Sequence, residues 1–272
     1  MRINQNIMAF NAFRNLNATN EALGKNLEKL SSGFRINRAS DDAAGLVISQ
    51  GLRAQVSGLK VATRNAQDGI SVTQTAEGAL NEVHSMLNRM RDLAVQAANT
   101  GSTDPNAAAA DQAEIDALSS EITRVSQQTK FGTTTLLDGG FVKEFQVGAN
   151  AGEKITISLG TSLNASALGV SGLGVASGAS ASAAITAIDT AITTISTTRA
   201  SLGAYQNRFD SVINNLQVAT ENLTASESRI RDTDMASEMV DFTKHQILMQ
   251  AGTAMLGQAN QVPQSVLRLI NG

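Results

Sequence analysis

Asp41 and Asp42 are adjacent carboxylates, Arg35 and Arg38 stand just before them, and His84 and His245 are the only histidines. A catalytic or metal site would have to be built from groups such as these. Two carboxylates could share acid–base work or hold a cation. The surrounding stretch, SSGFRINRASDDAAGL at 31–46, contains neither histidine nor cysteine, and long apolar-periodic segments flank it. A place at the start of a helix explains both aspartates more simply. The helix dipole favours negative charge there by about 0.3–1 kcal/mol, and a carboxylate can cap free amides. Arg35 and Arg38 then read as junction residues that pair with carboxylates of the same chain or of a neighbour.

The rest of the chain offers little further chemistry. It has no cysteine, which removes disulfides, thiolate ligands and cysteine nucleophiles together. The two histidines are isolated, no HExxH pairing occurs, and neither a phosphate-binding GxxxxGK[ST] nor a GxSxG elbow is present. Gly172-Leu173-Gly174 lacks the third glycine and the strand–turn–helix setting of a dinucleotide site. No enzyme, cofactor or metal is expected. A net charge of −3 without any basic run gives no footprint for nucleic acid. No stretch approaches the roughly 20 apolar residues of a spanning helix, so no membrane insertion is expected. The N-terminus, MRINQNIMAFNAFRNLNATN, lacks a continuous apolar core, so no cleaved signal peptide is expected either.

The elements that carry these residues are mostly helical. With no Trp, one Tyr and eight Phe in 272 residues, burial must come from aliphatic and small side chains along long seams. Ile188, Ile195, Leu202, Phe209, Leu216, Leu223 and Ile230 recur at every seventh position. A strict heptad keeps one seam toward a partner helix, and such a helix would run roughly 65 Å. Ile185, Ile192 and Ile213 suggest a partial second line. Met235, Phe242, Met249 and Leu256 form another heptad line, with Met239 beside it and Val262, Val266 and Leu269 beyond. RDTD at 231–234 reads as the joint between the two helices, with Asp232 or Asp234 as N-cap. Pro263 is placed to end or kink the second helix.

The N-terminal half mirrors this arrangement. Ile3, Ile7, Phe10 and Leu16 open a stripe continued by Leu23, Leu27, Leu30 and Phe34. A long helix starts near Asp42, carries Leu52, Val56, Leu59, Ile70, Leu80, Val83, Leu87, Met90 and Ala94, and ends before Thr100; Asp104-Pro105 restarts a helix whose inner face is Ile115, Leu118, Ile122 and Val125. In the middle, FVKEFQV at 141–147 and KITISL at 154–159 alternate like strands of a β-hairpin. Residues 160–184 are rich in Gly, Ser and Ala and read either as a flexible connection or as an ordered irregular loop. The fold expected is mainly α: long antiparallel helical rods or coiled coil, the N- and C-termini paired, with one small β-hairpin in the middle. The terminal stripes need a partner to be stable, since helices gain most of their stability from a buried face.

KLSSGFRINRASDDAAGLVIS at 29–49 closely resembles the N-terminal signature of bacterial flagellins, and residues 221–270 resemble the C-terminal one. The resemblance covers nearly the whole chain except about 135–180, where the outer domains of larger relatives are missing. It implies a minimal flagellin, a structural subunit of the flagellar filament that serves swimming motility; a hook–filament junction protein of the same apparatus is the alternative. By the same resemblance, residues 1–42 and 231–272 would form an inner coiled-coil domain that includes the connector 31–46, and 43–230 an outer helical rod domain. The expected inner subunit interface comprises Ile3, Ile7, Phe10, Leu16, Leu23, Leu27, Leu30, Met235, Met239, Phe242, Met249, Leu256, Val266 and Leu269. Arg35, Arg38, Asp41 and Asp42 belong to the connector. The partners implied are further copies of the chain, the flagellar type III export apparatus, an export chaperone at the C-terminal segment, and hook-associated junction and cap proteins. The product would be secreted into the extracellular filament, with ends that are disordered in the free subunit and fold on assembly. NRMRDLAVQAAN at 88–99 resembles the segment gripped by the flagellin-sensing Toll-like receptor of hosts, which implies Arg89, Leu93 and Glu114 as contacts; lateral packing between subunits is the alternative role for them.

Overall fold

The computed structural model describes residues 5–99 and 104–271, with side chains for 5–99 and 104–262. Five helices occur among them: α1 (Ile7–Ser32), α2 (Ala43–Ala98), α3 (Pro105–Gln128), α4 (Gly178–Arg231) and α5 (Met235–Asn271). The strands are β1 (Lys130–Phe131), β2 (Thr134–Thr135), β3 (Phe141–Gln146) and β4 (Lys154–Leu159). Contacts divide the chain into two compact units, residues 1–55 with 222–272, and residues 56–221.

In the unit of residues 56–221, α2 buries Ala62, Ala66, Gly69, Thr73, Ala76, Leu80, Val83, Leu87, Met90, Ala94 and Ala97. Their spacing alternates four and three without a break, which is a coiled-coil seam. The facing seam on α4 is Ala181, Ala184, Ile188, Ala191, Ile195, Leu202 and Phe209. The two helices are antiparallel, as two polar contacts between them show. Arg91 Nε lies 2.7 Å from Asp189 Oδ1, and Gln206 Nε2 donates to Glu77 Oε2 at 2.9 Å. The heptad line read from Ile188 to Phe209 is therefore a buried seam. Its second line is the alanines 184 and 191; Ile185 and Ile192 sit on the half-buried flank. Alanine at these places lets the helices approach closely.

Asp104 and Pro105 open α3 as the sequence suggests, although the Asp104 carboxylate caps no amide. Ile115 and Ile122 of α3 join the same core. The β3–β4 hairpin has the register Phe141↔Leu159 through Gln146↔Lys154 and buries Ile155, Ile157 and Leu159. It is fastened to α2 by Asn65 Nδ2, which donates to the Gln146 carbonyl at 3.0 Å, and to α4 by an edge-on Phe145–Phe209 contact of 5.8 Å. A second, shorter hairpin, β1–β2, is additional to the one expected.

The segment 160–177 is the ordered alternative of the two readings. Leu163, Leu168, Val170 and Val175 are buried in the core. Gln112 of α3 clamps it twice: Oε1 accepts the Val175 N–H and Nε2 donates to the Leu173 carbonyl, both at 2.8 Å. Gln112 thus supplies polar partners that the glycine-rich backbone needs when it is buried.

In the other unit, α1 and α5 pair antiparallel. Asn6 Nδ2 donates to the Ala259 carbonyl at 2.8 Å near one end, and Lys29 Nζ stands 3.5 Å from Glu238 at the other. The α5 helix continues through Pro263 to Asn271, so this proline does not end the helix. Proline removes one ladder bond, and the remaining bonds carry the helix on.

Candidate functional site

The stretch 31–46 joins α1 to α2. Gly33 closes α1 with φ +74° and donates its N–H to the Lys29 carbonyl, a left-handed cap that suits glycine. The chain then pairs with the α4–α5 joint. Arg35 N–H donates to the Arg231 carbonyl at 2.7 Å, Thr233 N–H donates to the Gly33 carbonyl at 3.0 Å, and the Arg231 guanidinium lies 4.4 Å above the Phe34 ring. Ile36 is buried as the apolar anchor of the turn.

The two aspartates have different work. Asp41 Oδ2 accepts the N–H groups of Asn37 and Arg38, and these two hydrogen bonds, Arg38 first, hold its carboxyl below the usual carboxylate range. Asp42 Oδ1 accepts the Gly45 N–H at 2.8 Å and caps α2. Arg38 Nε pairs with Glu28 at 2.9 Å, and Arg35 donates to the Ile230 carbonyl. At the next joint, Asp234 Oδ1 caps α5 by accepting from Ala236 and Ser237. These groups spend their hydrogen bonds on backbone and on one another. Among the described residues no cluster of three His, Cys, Asp or Glu could hold a metal.

The paired α1 and α5 carry a different feature. On α1 the half-buried or buried stripe runs Ala9, Ala12, Leu16, Thr19, Leu23, Asn26 and Leu30; on α5 it runs Glu238, Phe242, His245, Met249, Gly252, Leu256 and Ala259. Both alternate threes and fours. Of the residues expected at an interface, Leu16, Leu23, Leu30, Phe242, Met249 and Leu256 thus fall within the chain's own seam. Ile7, Phe10, Leu27, Met235 and Met239 point away from it, Phe10 with 70% of its surface exposed. The side chains of Ile3, Val266 and Leu269 lie outside the described residues. Sequence reading missed Met8, Phe13, Val240, Ile247, Leu248 and Met255, which are also exposed on these two helices. A groove of about 450 Å³ between α1 and α5 is lined by Met8, Leu16, Leu248 and Met255, with Ala12 and Gly252 at its floor.

Arg89 and Glu114 lie together on the surface. Arg89 Nε and Nη2 reach the two Glu114 oxygens at 2.7 and 3.1 Å, a forked pair that lowers the pKa of the Glu114 carboxyl. Leu93 is only 2% exposed and belongs to the core. A surface contact through Leu93 has no side chain to use in this fold, because Leu93 is buried in the hydrophobic core.

The comparisons with known proteins fit this arrangement of paired ends and helical body. Residues 3–141 match the family described as bacterial flagellin N-terminal helical region, and residues 185–270 match the bacterial flagellin C-terminal helical region. The chain belongs to the bacterial flagellin family.

Among its relatives, the flagellin of Bacillus subtilis (strain 168) is 48% identical over 99% of this chain and all of that one. The flagellin of Halalkalibacterium halodurans is 50% identical over the same shares. The flagellar filament 33 kDa core protein of Treponema phagedenis is 46% identical, again over 99% and 100%. The crystal structure of Bacillus cereus flagellin, 31% identical, covers 56% of this chain and 88% of that one with a TM-score of 0.51. This flagellin is a structural protein, a subunit that polymerises into the extracellular filament of the flagellum. The junction-protein alternative gains no support from these relatives. No helix among the described residues is long and apolar enough to cross a membrane.

Proposed function

We propose that the terminal helices, residues 1–42 and 231–272, form the inner layer of the filament and that 43–230 form the outer one. The observation that carries this reading is the apolar surface left on α1 and α5 after they have paired: Ile7, Met8, Phe10, Val240, Ile247 and Met255 are each at least 60% exposed. Apolar area released from water contributes about 25 cal/mol per Å², and a neighbouring copy is the partner of matching chemistry. A copy-to-copy contact that does not close on itself generates a helical polymer. The connector 31–46, pinned through Arg35 and Asp41, orders the turn from α1 into α2.

The same chemistry gives the remaining partners. A chain without cysteine carries no disulfide to hinder threading, which supports export unfolded through the flagellar type III apparatus. The exposed α5 face suits an export chaperone before assembly, and hook-associated junction and cap proteins at the two ends of the filament. Limited proteolysis tests the inner-layer assignment. Both ends are trimmed in the free subunit and resist the protease in sedimented filaments; equal susceptibility in the two states overturns it.

A second reading, recognition of the free subunit by a host flagellin-sensing Toll-like receptor, is favoured by the exposed Arg89–Glu114 pair. Its test is receptor activation by Arg89→Glu, which falls if the pair is gripped and is unchanged if it serves only lateral packing.

A further inference from the structure

The one buried residue of α1 is polar. Asn26 is 7% exposed, and the residue it meets on α5, Glu238, is 9% exposed. Every other buried or half-buried neighbour on these stripes is small or apolar apart from Thr19 and His245. The amide orientation that satisfies all its neighbours has Asn26 Nδ2 donating to the Ala22 carbonyl at 3.1 Å and to Glu238 Oε1 at 3.0 Å. Its Oδ1 then accepts the Phe242 N–H at 3.2 Å. The other Glu238 oxygen faces Lys29 Nζ at 3.5 Å. One side chain of α1 is therefore tied to both a side chain and the backbone of α5.

The apolar part of the seam does not select one alignment. Leu16, Leu23 and Leu30 repeat every seven residues, and so do Phe242, Met249 and Leu256. A slide by one heptad replaces one large apolar contact by another. The polar pair has no such freedom. In one sense of slide Asn26 comes beside His245 and Met249 and Glu238 beside Gly33. In the other sense Glu238 faces Thr19. Either slide takes the carboxylate away from its amide donor in a shielded place, which an ion does not tolerate well. A buried polar group at a single heptad position is the best-attested way for a coiled coil to fix its register.

We propose that Asn26 and Glu238 are the register-determining residues of the terminal helix pair: they select which antiparallel alignment of α1 on α5 is adopted and contribute little to whether the helices associate. The inference rests on the geometry of the pair and stands whether or not that pair forms the inner layer of the filament.

The absence of cysteine makes the test direct. A Cβ built on Gly252 lies 3.9 Å from the Leu16 Cβ, within disulfide range. Leu16→Cys with Gly252→Cys therefore reports the native register. Ala9→Cys or Leu23→Cys, each with Gly252→Cys, reports a slide of one heptad. Each pair is oxidised in the full chain and read by gel in both soluble and sedimented fractions. With Asn26 and Glu238 intact, the native pair closes and the shifted pairs yield at least about tenfold less, as expected when a buried polar group would lose its partner. In Asn26→Leu with Glu238→Leu, the shifted pairs rise to within about twofold of the native one. In Glu238→Gln, which keeps the hydrogen bonds and loses the charge, the native register persists. Shifted pairs that stay low in the double leucine chain overturn the proposal. So does loss of every cross-link, because the node would then hold the helices together and not select their alignment.

Discussion

The backbone N–H of Arg38 donates to Asp41 Oδ2 over 2.9 Å, and the same oxygen takes the N–H of Asn37 at 3.1 Å. One carboxylate thus organises the turn that leads from α1 into α2. Its pKa in the fold lies below the ordinary 3.8, chiefly because of the Arg38 and Asn37 amides. A lowered carboxylate pKa means that the ordering is fully present above about pH 4 and is lost as the pH falls through that lower value. Amide exchange at Asn37 and Arg38 reports it. Protection is high at pH 7 in the parent chain, falls in acid, and is weak at every pH in Asp41→Ala. Exchange that ignores both the acid and the substitution contradicts this account of the connector.

Gly69 is held against a ring. A Cβ there would stand 2.6 Å from the tip of Phe209, which is fully buried and also meets Phe145 edge-on. Gly69→Ala should cost about 1–3 kcal/mol despite alanine's better helix propensity, since an overpacked core must shift. Thermal unfolding of the full chain measures it. Adding Phe209→Leu to Gly69→Ala recovers part of the loss, and a simple sum of the two single effects would show that the ring is not what alanine meets.

Gln112 holds the segment 160–177 in place. Gln112→Ala leaves the buried Val175 N–H without its acceptor, at a cost of about 1–3 kcal/mol. Proteases should then cut near 171–177 while the helices remain intact. A cleavage pattern unchanged from the parent chain would mean that burial of Val170 and Val175 suffices to hold the loop.

Much of this could be read before the structure, and the parts that could not share a cause. The line from Ile188 to Phe209 was legible because its residues are large, apolar and seven apart. On the facing seam of α2, Leu80, Val83, Leu87, Met90 and Ala94 are equally legible, but Ala62, Ala66, Gly69, Thr73 and Ala76 do not stand out by hydropathy. A search by four-and-three spacing, indifferent to side-chain size, would have found them. Low complexity left both readings open for the same reason at 160–177, where Leu163, Leu168, Val170 and Val175 are spread among glycine and serine yet all buried.

The connector was legible for a different reason. Caps are local, so Asp42 and Asp234 follow from the residues beside them. What each terminal residue faces is not local. Phe10 and Leu16 belong to one apolar stripe in the sequence, but Phe10 is exposed and Leu16 packs beside Gly252. A stripe wider than one seam reveals that there is apolar surface to spare without saying which part the chain itself covers. Leu93 shows the converse: a residue in a segment matched for surface recognition is buried in the core.

In the proposed assembly, the apolar surface spared by the α1–α5 pair drives polymerisation. Sedimentation of filaments across a range of total protein concentrations gives the critical concentration, and Phe10→Ser with Val240→Ser removes two exposed apolar groups outside the seam. Burying a large apolar side chain is worth about 1.5–3 kcal/mol, so the critical concentration should rise at least about tenfold, with thermal unfolding of residues 56–221 unchanged. A critical concentration equal to that of the parent chain would contradict the account.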